Sequence, residues 1–303
     1  MSKRDDFWCV TTFFNPAGYK SLLNNYQIFR ENLDANLLTV EVAFGEDDYQ
    51  IKDSLKLRSK SIMWQKERLV NHAVANLPPE CKYFAWLDCD VLFGNKDWAN
   101  LAVEKLQTVD IIQLFKRVFY LPKGDCCYKN RHLTMLQGVM WQNKIHRNWL
   151  QRRKNKDLPF SSPGFAWAAR RDAFSHCGGI YDKNIIGSGD TFLVDVYLDS
   201  FEIHGYAAKF NRFMKKDMMS WCEKFRSVNK KTDYIPVDLY HLWHGSLKNR
   251  RYMDRHDIVL AYDYDPENDV RLENDVYEWN SDKPEMHEGI KGYFFGRKED
   301  DEE

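Results

Sequence analysis

The segment Tyr83–Phe93, YFAWLDCDVLF, carries the first residues here that could do chemistry. An apolar, strand-like run enters Asp88-Cys89-Asp90, and apolar residues resume beyond it. Side chains alternate along a strand, so the spacing predicts Asp88 and Asp90 on one face and Cys89 on the other. Two neighbouring carboxylates repel each other unless a cation lies between or near them. Mg2+ or Mn2+ suits such oxygen ligands, can bridge a diphosphate, and neutralises charge on a leaving phosphate group. The plainer alternative is a pair of acids capping the next turn, and a bare Asp-x-Asp does not choose between the two.

Two later blocks add candidates. The first is Ser162–Phe174 (SPGFAWAARRDAF), followed by Gly178-Gly179-Ile180-Tyr181-Asp182 and Gly187-Ser188-Gly189-Asp190. Its glycines allow positive φ and close backbone approach. The position of Asp190 suits an N-cap for a helix over Thr191–Leu198. The second is Leu239–Tyr252 (LYHLWHGSLKNRRY), a strand-like run ending in His241, Trp243, His244 and Gly245. Imidazole is a better ligand for Mn2+ than for Mg2+. Beyond it Lys248, Arg250 and Arg251 form a basic turn able to hold a diphosphate, Arg through a bidentate fork.

The elements that must position these residues alternate along the first half. Phe7–Phe14, Leu37–Phe44, Tyr83–Leu87 and Val109–Phe115 read as strands. Tyr19–Asn36, Ser61–Leu77 and Trp98–Leu106 carry apolar residues at helical spacing, and Pro78-Pro79 stops the second. This order predicts an α/β fold, a mostly parallel central sheet flanked by helices, with ligands beyond the carboxyl ends of the strands. That rule points to Asn15-Pro16, Gly45-Glu46 and Asp88-Cys89-Asp90. One domain is expected over 1–303, with halves at 1–125 and 126–296 and a frayed acidic tail at 297–303.

Composition narrows the class. The chain has 303 residues with 10 Trp, 16 Tyr and 19 Phe, enough for a sizeable core, and 29% charged residues argue against disorder. A formal net charge of −1 excludes a globally basic nucleic-acid binder. The dense stretch 144–156 (KIHRNWLQRRKNK) remains either a local phosphate contact with an interleaved Trp149 or a solvated helix face. No apolar run approaches the ~20 residues of a membrane span, and no h-region follows the charged start. The seven cysteines form no CxxC pair, so reduced thiols in a cytoplasmic protein are expected. Oligomeric state is not legible.

Phe84–Phe93 resembles the Asp-x-Asp segment of GT-A glycosyltransferases, whose Rossmann-like fold binds nucleotide-diphospho-sugars. The block Trp64–Asn71 (WQKERLVN) is similar to the helix preceding that segment in family-2-like members. The resemblance implies that Lys66 or Arg68 and Asn71 face the donor. It also implies that the Thr12–Pro16 loop, with Thr12 and Asn15, lies near the nucleoside, and that Glu46 or Asp47 holds base or ribose. The Pro163-Gly164-Phe165…Trp167 block resembles the acceptor side, with Asp190 and Gly189 beside the sugars and Asp190 as base. A late His before Gly completes many such metal sites, which places His244 with Asp88 and Asp90. The ordered set spans roughly Phe7 to Arg255 and, with the Tyr293–Asp300 ending, is similar to phage and microbial GT-A-like proteins. It implies Mn2+ or Mg2+ and a UDP-sugar. The acceptor would be a hydroxyl, and a hydroxymethylated base in DNA, extruded from the duplex, is one that stretch 144–156 would suit.

Two other readings compete. A haloacid-dehalogenase-type phosphatase would make Asp88 a nucleophile and use Asp190 and Asp195, yet its Asp-x-Asp belongs on the first strand. A nucleic-acid-binding module without activity would rest on stretch 144–156 alone.

Overall fold

The computed structural model describes residues 4–127, 129, 132–146, 161–198, 210–227, 231–252 and 254–301. In chain order the elements begin with β1 (Phe7–Phe14), α1 (Lys20–Asn32), β2 (Asn36–Phe44), β3 (Leu55–Ser59), α2 (Lys66–Ala75), β4 (Tyr83–Leu87), β5 (Val91–Phe93) and α3 (Trp98–Leu106). There follow β6 (Ile111–Gln113), β7 (Arg117–Tyr120), β8 (Met135–Gly138), α4 (Val139–His146), β9 (Ser161–Ser162), β10 (Ala166–Arg170), α5 (Arg171–His176) and α6 (Gly189–Tyr197). The chain continues through α7 (Arg212–Ser227), β11 (Thr232–Tyr234), β12 (Asp238–His241), α8 (Asp257–Ala261), β13 (Val270–Glu273), β14 (Val276–Trp279) and α9 (Pro284–Phe295).

Seven strands form the main sheet in the order β11-β6-β10-β4-β1-β2-β3. Only β10 pairs antiparallel with its neighbours; β1 is parallel to both β2 and β4. Alternation along β1 divides the core between the two faces. Phe7, Cys9 and Phe13 pack with α1 and α3, whereas Val10 packs with α2, α6 and α7. The expected α/β class, with helices on both faces of a mostly parallel sheet, is what the chain adopts. The opposed direction of β10 has a direct consequence. Ala166 lies across from Leu87, so Pro163-Gly164-Phe165 enters the sheet beside the exit of β4.

A second sheet, β5-β12-β7-β8-β9, abuts that exit. It pairs Val91 with His241, so the end of β12 lies next to Asp90.

Several local expectations need correction. Asp88-Cys89-Asp90 does not continue the strand: β4 stops at Leu87 and residues 89–90 form a turn. Face alternation therefore does not govern the two carboxylates. The helix expected over Ser61–Leu77 starts at Lys66. The helix expected at Thr191 starts at Gly189 with Ser188 as N-cap, so Asp190 lies in the first turn rather than capping it. The tail is not frayed over 297–301. Asp300 accepts from the backbone N–H of Lys20 and Ser21 at 2.9 and 2.7 Å, an anion seated on the N-terminus of α1. No helix of the described residues is long and apolar enough to cross a membrane. Of stretch 144–156, residues 147–156 lie outside the described residues, and Lys144 pairs with Asp233 at 2.9 Å.

Candidate active site

The β5–β12 pairing builds one side of the site. The Leu242 N–H donates to the Asp90 carbonyl at 2.8 Å, locking the turn after β4 to the end of β12. The Asp90 carboxylate thereby meets two imidazoles. Its Oδ2 lies 2.9 Å from His244 Nε2 and 3.5 Å from His241 Nε2, and the two rings approach to 3.1 Å. Asp90, His241 and His244 are all buried and offer three ligand atoms within 4.8 Å of one another.

Whether a cation fits is answered by one atom. Asp90 Oδ1 is buried with no hydrogen-bond partner. A buried, unsatisfied carboxylate oxygen costs a few kcal/mol, which a bound cation would relieve. Mn2+ accepts imidazole nitrogen more readily than Mg2+, so one carboxylate with two imidazoles suits Mn2+ better.

Protonation agrees with this donor set. Burial pushes His241 down to about 4 against the pull of Asp90, leaving the neutral, ligating form near pH 7. Burial works against ionisation of Asp90 as well, but the imidazoles of His241 and His244 outweigh it and hold the carboxyl well below its usual range. The Arg250 guanidinium closes this side, its Nη2 lying 2.8 Å from Nδ1 and 2.6 Å from Nε2 of His244.

The other side gathers around Lys66, the first residue of α2. Its ammonium lies 2.6 Å from Asp88 Oδ1 and 3.1 Å from Asp190 Oδ2. The Phe165 carbonyl accepts from the Asp88 N–H at 2.8 Å, tying the start of β10 to this turn. Phe165 takes φ 76, unusual for a bulky side chain, and packs against His241 with ring centroids 4.9 Å apart. Gly164 lies so close that a Cβ there would stand 3.2 Å from Asp190 Oδ2. Next to Lys66, the buried Glu67 accepts from Trp64 Nε1 at 2.9 Å, and its carboxyl fills the space a Cβ on Gly189 would need. Burial raises Glu67 to about 8, with Lys66 opposing and Asp190 adding to the rise. Burial likewise raises Asp88 to about 6 despite Lys66, and the charges of Asp190 and Asp90 contribute.

The remaining sequence candidates are scattered. Thr12 is half-buried near the end of β1, and Glu46 is exposed in the turn after β2. Asn15 closes its own loop, donating to the Tyr19 carbonyl at 2.8 Å. Arg68 pairs with Asp275 at 3.1 Å, and Asn71 holds the Ile180 backbone through both amide atoms. Lys248 is exposed, and Arg251 pairs with Asp254 at 2.7 Å. Trp167 is fully buried and donates to the Pro163 carbonyl at 2.8 Å, bracing the Pro163–Phe165 segment from beneath. Asp195, which the phosphatase reading requires, is fully buried on α6.

Sequence reasoning did not select His241, Glu67 or Glu299. Strand pairing with Val91, the residue after Asp90, marks His241, and the small Gly189 against Glu67 marks the second. Glu299 is 1% exposed inside an acidic run, with Oε1 3.3 Å from His244 Nδ1.

Neither a protein-family model nor a characterised protein sequence matches the chain. Among solved structures it is similar to a mannosyltransferase from Pyrobaculum calidifontis in complex with GDP-Man and Mn2+. That match has 13% identity, a TM-score of 0.44, and covers 95% of this chain and 69% of that one. It is also similar to glucosyl-3-phosphoglycerate synthase from Mycobacterium tuberculosis in complex with Mg2+ and UDP, at 11% identity and TM-score 0.42, covering 84% and 78%. A third is the catalytic domain of Drosophila beta1,4galactosyltransferase 7 in complex with xylobiose, at 10% identity and TM-score 0.37. That match covers 75% of this chain, which spans 63% of the galactosyltransferase domain. Likeness at this level is distant in sequence and partial in shape; the site's own residues decide what it can do.

Proposed function

We propose that this chain is a GT-A glycosyltransferase that moves a sugar from a nucleotide-diphosphate donor, a UDP-sugar, to a hydroxyl acceptor. The observation that carries the reading is the buried Asp90–His241–His244 group with its unpartnered Asp90 Oδ1, beside a lysine-bridged pair of carboxylates at a strand exit. Asp90, His241 and His244 would hold Mn2+ or Mg2+. When bound, the ion supplies Lewis-acid stabilisation of a departing diphosphate.

The chain's own residues divide the rest. Arg250, with Lys248 and Arg251 on the same turn, adds positive charge for the diphosphate. Lys66 holds Asp88 and Asp190 on one ammonium, so both carboxylates keep a fixed direction. Asp190 is the base that takes the acceptor hydroxyl proton, as it borders Gly164 of the Pro163–Phe165 segment with its side chain 23% exposed. Asp88 serves the donor side, toward ribose or metal-bound water. Among hydroxyl acceptors, a hydroxymethylated base in DNA is the one stretch 144–156 favours, and salt-dependent affinity for duplex DNA tests that part by itself.

The central test is calorimetric titration of a nucleotide-sugar panel with and without Mn2+, on wild type and Asp90→Ala. Mn2+-dependent binding of one donor, lost in the variant, is expected. Binding that ignores Mn2+, or survives Asp90→Ala unchanged, overturns the reading.

A further inference from the structure

The sequence ends in an acidic run, yet in the fold that run is the back wall of the histidine side. Three anchors hold residues 297–301 in place. Asp300 sits on the N-terminus of α1, Ser21 Oγ donates to the Glu299 carbonyl at 2.9 Å, and the Lys298 N–H donates to Tyr19 Oη at 2.9 Å. Arg297 folds back over the Trp64 ring, 5.6 Å from its centroid, and pairs with Glu299. Gly245, which directly follows His244, takes φ +78, and a Cβ on it would stand 2.8 Å from Glu299 Cα and 3.0 Å from the Lys298 carbonyl. The turn carrying His244 and the C-terminal segment are therefore fitted backbone to backbone.

This fit delivers a carboxylate to one particular nitrogen. His244 turns Nε2 toward Asp90, at 2.9 Å, and Nδ1 toward Glu299, at 3.3 Å; the Arg250 guanidinium lies 2.6 Å from Nε2 and 2.8 Å from Nδ1 and must yield Nε2 to a bound cation. A carboxylate on the far nitrogen of a metal-binding imidazole fixes its tautomer and ring direction and makes the near nitrogen a better ligand. We propose that Glu299 is a positioning residue for His244 as a metal ligand, and that the C-terminal segment 297–301 is a working part of the cation site. The inference rests on the assignment of Asp90, His241 and His244 to a cation.

The test reads Mn2+ affinity directly, by following free Mn2+ with electron paramagnetic resonance during titration of the whole chain. Glu299→Gln keeps the side chain's shape and removes its charge; it is expected to weaken Mn2+ about 10- to 100-fold. Arg297→Gln removes the other half of the buried pair and leaves Glu299 on His244, so Mn2+ affinity is expected to hold. Equal weakening by both variants makes the pair merely structural, and unchanged affinity in Glu299→Gln removes Glu299 from the site; either result overturns the proposal. If circular dichroism shows Glu299→Gln unfolded, Asp300→Ala decides. That change releases the segment at α1, and lowered Mn2+ affinity in a folded protein supports the proposal while unchanged affinity overturns it. Wild type that binds no Mn2+ overturns instead the cation assignment beneath it.

Discussion

Asp90 and Asp88 stand two residues apart in one turn, and the fold treats them oppositely. Asp90 is buried and Asp88 half-buried, so both lose some of the hydration that favours ionisation. The difference lies in what replaces the water. Asp90 meets two imidazoles and is held low, whereas Asp88 shares the Lys66 ammonium with Asp190 while Glu67 stands alongside. One cation spread over three carboxyls cannot hold them all ionised, and Glu67 rises to about 8. The histidine side therefore keeps an anion with a spare oxygen, which seeks a cation. The lysine side keeps a carboxyl inclined to stay protonated next to one that is open, which suits handling a proton.

That contrast is most easily broken at Asp90. Asp90→Ala removes the carboxylate from the histidine side, and Mn2+ affinity should fall on the order of a hundredfold or more while the lysine side persists. Asp190→Asn attacks the opposite side. Turnover should drop by about 10^2 to 10^4, the range for losing a general base, with Mn2+ affinity within a few-fold of wild type. Steady-state kinetics beside metal titration separates the two. An Asp190 variant that loses metal instead would show the sides to be one unit.

How much of this contrast was legible beforehand follows from distance along the chain. Asp90 is conspicuous as an acid after an apolar strand, and Lys66 as a cation that opens a helical block. His241 could not be read, since its place beside Asp90 comes from pairing β12 against β5, a contact between remote segments. Glu67 sits among charged neighbours on an amphipathic helix and reads as solvated; Gly189 and the Trp64 indole close over its carboxyl. The alternating elements disclosed the parallel sheet, but nothing local signalled that β10 runs backwards, and that reversal brings Phe165 and Gly164 to Asp88 and Asp190. Asp190 itself was misplaced by a residue or two relative to its helix end, the usual scale of error at termini.

Gly189 offers a subtler probe of the lysine side. Gly189→Ala drives a methyl into the Glu67 carboxyl, an overpacking expected to cost about 1–3 kcal/mol. Thermal melting checks the loss, and Glu67→Gln should not restore it, because amide and carboxyl occupy the same space. Restoration would mean that charge rather than volume sets this contact.

The last probe, whose effect fades to nothing at acid pH, concerns ionisation. Glu67 is favoured in its protonated form by the fold, with its value raised from 4.5 to about 8. Its contribution to stability is thus fully present below pH ~4.5, declines as the unfolded chain ionises, and is gone once pH passes about 8. Glu67→Gln cannot ionise in either state, so this slope should vanish in the variant. Melting temperatures for the two proteins should lie close together near pH 5 and separate toward pH 8, the variant gaining up to a few kcal/mol there. Parallel curves across that window would mean that Glu67 is ionised in the folded chain, with Lys66 sustaining three carboxylates after all. The opposition between the two sides would then reduce to the imidazoles alone.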